Sequence, residues 1–110
     1  MNSIKLVEVV PQRNLTNEGT SERRQAYTLR EVFVNPEHVV CMRPDESMRQ
    51  KLADSMLPDD MDSRQEFTKI YINRGQTGLD ITVVGSPAMV EKKIREKQNK
   101  IRKQLLRGNT

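Results

Sequence analysis

The chain of 110 residues has no tryptophan, two phenylalanines, two tyrosines, one histidine and one cysteine. A single cysteine, Cys41, leaves no internal disulfide, and this points to a reducing compartment, the cytoplasm. His38 stands without a second histidine or a cysteine pair, so neither a zinc centre nor a histidine-based triad has its parts. Asp59, Asp60 and Asp62 lack the glycine and the closing glutamate of a calcium loop, and read as a solvated acidic turn. Gly75 and Gly78 match no phosphate-cradling motif. No apolar run approaches the ~20 residues of a membrane-spanning helix, and the opening MNSIKLVEVVPQ does not have the pattern of a signal peptide. The expectation is a soluble, non-membrane, non-catalytic protein with no cofactor and no metal.

Few aromatics also mean few large core side chains. A chain of this length buries a smaller share of its surface than a large one, and aromatics contribute the most buried area per residue. A homo-oligomer would supply the missing burial. The alternative is a marginal monomer held by its aliphatic residues and methionines.

The pattern along the chain predicts one domain over 1–110. Ile4 to Val10 is β-branched and closed by Pro11, a strand. Residues 12–26 hold almost no apolar side chains and read as a flexible loop. Tyr27 to Val34 alternates, with Tyr27, Leu29 and Phe33 on one face and Val32 and Val34 on the other. Asn35-Pro36-Glu37 reads as a turn into a strand over 38–43, making 27–43 a hairpin or tight strand pair. Cys41 is expected as a small buried residue of that strand. After Pro44, an acidic insert over 44–66 contains a short helix with Met48, Leu52 and Met56 on one face. Phe67 to Asn73 and Leu79 to Val84 form a hairpin, with Gly75 and Gly78 supplying positive φ in its loop. Ser86 caps a final helix over 86–107, with Pro87 in its first position and Gly108 as its stop. Pro87, Val90, Ile94, Ile101 and Leu105 form its apolar stripe. The fold class is α+β: an antiparallel sheet of about five strands, with the helices on one side or end.

Charge is unevenly placed. Glu91 to Arg107 carries eight basic residues against two acids, a net of +6, while the whole chain is +4. Asp45 to Asp62 carries six acids against two basic residues, a net of −4. Three readings compete for the basic helix: a solvated face, an anion site, and packing against the acidic insert of a neighbouring subunit. Arg95 and Arg102, seven apart, line one edge of the apolar stripe, and arginine's planar fork matches phosphate. With Lys92 on the same helix, and Asn73 and Arg74 at the second hairpin's turn, they are the candidate ligand-binding residues. The ligand class is a small phosphorylated anion such as a cyclic nucleotide or an ADP-ribose derivative. Nucleic acid is a variant of the anion reading, weakened by the shortage of aromatic stacking platforms.

Several segments follow a familiar order: Ile4-Lys5-Leu6; Val32-Phe33-Val34-Asn35-Pro36-Glu37-His38-Val39-Val40; a hairpin from Phe67 to Val84 turned at Arg74-Gly75; and Val83-Val84-Gly85-Ser86-Pro87 leading into a helix through Ile94. This resembles the FlbD-type small swarming and flagellar proteins over 4–7, 31–43 and 67–95. The resemblance implies two hairpins and a helix opening at a serine, and a protein-binding adaptor role. The loop at 12–26, the insert at 44–66 and the extension past Ile94 depart from it, so no functional residue is carried over. The bare architecture also looks like phage-encoded sponge proteins, which implies sequestration of a nucleotide-derived signal in a host cytoplasm.

Overall fold

The computed structural model describes residues 3–12, 26–75 and 77–108. The loop expected over 12–26 lies outside them apart from its ends, where the Gln12 backbone amide donates to the Ala26 carbonyl at 2.9 Å. The elements are β1 (Ile4–Pro11), β2 (Tyr27–Val34), a 3-10 turn (Pro36–His38), β3 (Val39–Pro44), α1 (Glu46–Ala53), β4 (Phe67–Arg74), β5 (Thr77–Val84) and α2 (Pro87–Gly108). The strands form one antiparallel sheet in the order β2-β1-β5-β4-β3.

That order corrects the expected hairpin over 27–43. β2 and β3 do not pair; they are the two opposite edges of the sheet. Local pattern favours pairing of consecutive strands, but Asn35 to His38 close on themselves instead of turning a hairpin. The Asn35 side chain accepts from the Glu37 backbone amide at 2.9 Å, and the His38 amide donates to the Asn35 carbonyl at 3.0 Å.

The registers show what this short connection demands. Val34 lies opposite Ile4, four residues before Glu8; Glu8 lies level with Val83 and Thr68; Val39 lies opposite Ile72, four residues beyond Thr68. In a flat sheet Val34 and Val39 would be on the order of 30 Å apart. Five backbone steps reach at most about 17 Å. The sheet must therefore curl until its two edges approach, an open barrel with an inner and an outer face.

Alternation assigns side chains to those faces. The inner face carries Ile4, Leu6, Val34, Ile70 and Val83, all buried, and is joined by Val90 and Ile94 of α2. The outer face carries Val9, Leu29, Phe67 and Val84, covered by Met48 and Leu52 of α1 and by Met56, Leu57 and Met61 after it. The helices thus pack on opposite faces of the sheet, not together on one side or end as expected. The acidic insert is part of the outer-face core, since Leu57 is fully buried. Cys41, expected inside, is exposed on the edge strand β3.

Two short networks fix the helices. Asp45 is buried and uses both carboxylate oxygens: Oδ1 accepts from the Met48 amide at 3.0 Å, capping α1, and Oδ2 accepts from the Thr82 hydroxyl at 2.6 Å. Gly85 joins β5 to α2 at φ +122°, a conformation that disfavours any side chain, and an added Cβ would run into Met89 Cε. Its amide donates to the Glu66 carbonyl at 2.8 Å, and its carbonyl accepts from the buried Thr68 hydroxyl at 2.8 Å. Gly75 has the expected positive φ, but Gly78 does not; it lies inside β5 opposite Asn73, because β5 begins two residues earlier than its apolar pattern.

Replacing Asp45 with alanine removes a helix cap and leaves a buried hydroxyl unpaired. Asp45→Ala is expected to lower unfolding free energy by about 2–3 kcal/mol, and Asp45→Asn by less, since asparagine also caps. Urea denaturation followed by circular dichroism measures both; equal stability of Asp45→Ala and wild type would contradict the assigned role.

Candidate anion-binding site

The basic helix begins as its sequence indicates. The Ser86 hydroxyl accepts from the Met89 amide at 3.2 Å, the Val90 amide donates to the Ser86 carbonyl at 3.0 Å, and Pro87 occupies the first turn, where its missing N–H costs nothing. Burial along the stripe is greatest at Val90 and least at Leu105. Val90 is fully buried, Ile94 and Ile101 are half-buried, and Leu105 is 65% exposed. The sheet therefore anchors the first part of α2, and the distal part stands with little cover. Its abundant cations also suit the negative end of the helix dipole.

A groove runs along each flank of α2. One, of about 360 Å³, lies between the helix and Asn35-Pro36-Glu37, and Gln98 and Arg102 line it. The other, of about 490 Å³, lies between the helix and the start of β1. Lys93, Lys97, Lys100 and Lys103 line that second groove from the helix, Ile4 and Lys5 line it from β1, and Glu96 is the acid among them. Lys5 also pairs with Glu31 at 3.5 Å, both exposed. Among the described residues, none of the four helix lysines is ion-paired.

The five residues picked from the sequence do not come together. Arg102 lines the first groove, but Arg95 lines neither and reaches back along the helix to Glu91, Nη2 to Oε1 at 2.9 Å. Lys92 is exposed and lines neither groove. Asn73 and Arg74 end β4 at the far end of the hairpin from Gly85, where α2 begins. The Arg74 side chain lies outside the described residues; Asn73 is exposed and borders neither groove. The sequence pattern favours arginine for its fork and, of the helix lysines, singles out only Lys92. The signal was present, because residues 93, 97 and 100 repeat at helical spacing. Lys5 was not legible, since only the tertiary structure sets β1 beside α2.

The acidic segment offers no second site of this kind. The Arg64 backbone N–H and then its guanidinium hold the exposed Asp62 carboxyl below the ordinary carboxylate range. Among the described residues, no three His, Cys, Asp or Glu side chains are placed to hold a metal ion, and no helix is long and apolar enough to cross a membrane.

Comparison of the chain with protein-family models, with curated proteins and with solved structures finds no match.

The Arg95–Glu91 pair is exposed on both sides and contributes little to stability. Arg95→Ala is expected to change unfolding free energy by no more than about 0.5 kcal/mol, as measured by thermal denaturation at low and high salt.

Proposed function

We propose that this chain is a non-catalytic, cytoplasmic binding protein that takes up and sequesters a small phosphorylated, nucleotide-like anion, and that the lysine flank of α2 receives its phosphates. The single observation carrying this reading is the groove lined by Lys93, Lys97, Lys100 and Lys103 of α2 and by Lys5 of β1, with Glu96 as the acid among them. Lysine ammonium groups bind phosphate as point charges, and these four helix lysines have no carboxylate partner among the described residues. Sequestration needs binding and no chemistry, which suits a groove lined mainly by cations. Arg102, across the helix, is a subsidiary contact for a ligand that reaches over Asn99, which lines both grooves.

Thermal shift with cyclic nucleotides, linear nucleotides and ADP-ribose tests the reading. At least one is expected to raise the melting temperature of wild type, and none that of the double variant Lys93→Glu/Lys100→Glu. Both positions are exposed and glutamate is a good helix former, so the variant keeps its fold. No shift with any of these ligands removes the reading. Tighter binding of an oligonucleotide, lost steeply with added salt, replaces it with nucleic-acid binding.

A second copy of the chain belongs to the same proposal. Ile101 and Leu105 continue the apolar stripe where the sheet no longer covers it. Sedimentation is expected to show an oligomer that Leu105→Glu converts to monomer; a wild-type monomer would exclude this part.

A further inference from the structure

We propose that the inner face of the curled sheet holds a second binding site, separate from the lysine groove, for a small, uncharged and mostly apolar molecule bearing one N–H or O–H donor. The place is a groove of about 650 Å³, within the ~300–1,000 Å³ range of small-molecule sites. Asn35 and His38 between β2 and β3 line it, and Val32 from β2, Ile72 from β4, and Leu79 and Ile81 from β5 give it an apolar wall. α2 covers the inner face elsewhere and leaves these four partly exposed.

One residue breaks the apolar pattern. The inner positions of β1 are Ile4, Leu6, Glu8 and Val10, so a carboxylate stands where the alternation calls for an aliphatic side chain. Glu8 is 8% exposed and lines the groove together with Arg30, the residue opposite it on β2. Arg30 donates from Nε to Glu8 Oε1 at 3.3 Å, with its own side chain largely in solvent. Among the described residues, Glu8 Oε2 has no hydrogen-bond partner. A carboxylate accepts at both oxygens, so Oε2 is an acceptor that a donor in the groove can use.

These features define the occupant. Its body is apolar, because four aliphatic side chains face it. Its polar group is a donor, because Oε2 only accepts. It is uncharged, because the Arg30 guanidinium already offsets the Glu8 charge, and a cation would have to displace it. The phosphorylated ligand proposed for α2 is charged and largely polar, so it fails the first and third conditions and the sites stand or fall separately.

N-phenyl-1-naphthylamine has this chemistry: neutral, apolar and carrying one N–H. Its N-methyl derivative lacks the donor. Fluorescence titration of wild type is expected to show binding of the first probe about tenfold tighter than of the second, the worth of one hydrogen bond to a charged acceptor. Glu8→Leu keeps the apolar groove and is expected to bind the two probes equally. Leu79→Lys, at a position already exposed, should abolish binding of both while its melting curve shows a folded protein. Lys93→Glu/Lys100→Glu should leave both affinities unchanged. Absence of binding to wild type, equal affinity for the two probes, or a preference that survives Glu8→Leu would each overturn the proposal.

Discussion

The structure depends on a covalent tether that is too short for a flat sheet. Four residues, Asn35 to His38, join the two outermost strands, and the registers between them place the tethered ends far apart unless the sheet closes. Curling is thus a geometric necessity, and the inner face becomes a shallow barrel. Asn35 and Pro36 suit the task locally. Asparagine folds its side chain over the turn, and proline holds φ where a 3-10 start needs it.

Curling explains how a chain poor in aromatics forms a core. A flat sheet would need a continuous layer on each side. A coiled one lets the inner residues of all its strands meet one another, so that Ile4, Leu6, Val34, Ile70 and Val83 need only Val90 and Ile94 to complete the cluster. The outer face then takes α1 and the acidic segment, pinned where Asp45 grips Thr82. The Met56 carbonyl also accepts from the Ala26 and Tyr27 amides, at 2.9 and 3.1 Å, covering one end of the β2 edge. Charge follows the layers, with the lysine-rich helix on the inner side and the acidic segment on the outer.

The two candidate sites arise from incomplete cover of one surface. α2 seals part of the inner face and then leaves it, creating a cationic groove along its flank. Beyond its reach the barrel stays open, and an apolar groove with one carboxylate remains. The polar character of the first comes from lysines that are mostly exposed, whose field is screened by salt. The second is lined mostly by β-strand residues, with Glu8 as its one carboxylate.

Much of the chain was decided locally. Alternation placed Tyr27, Leu29 and Phe33 opposite Val32 and Val34, acids and Pro44 announced α1, and Ser86-Pro87 opened α2, because capping, φ restriction and hydrophobic period act within a few residues. The net charge of α2 and the helical spacing of its lysines were likewise legible. Tertiary structure alone decided that β2 and β3 lie at opposite edges, that the two helices take opposite faces, and that Lys5 stands beside α2 while Arg95 turns to Glu91. It alone decided, too, that Glu8 faces a groove rather than solvent. Each of these depends on which distant strands pair and how far the sheet curls, and no window of neighbouring residues carries that information.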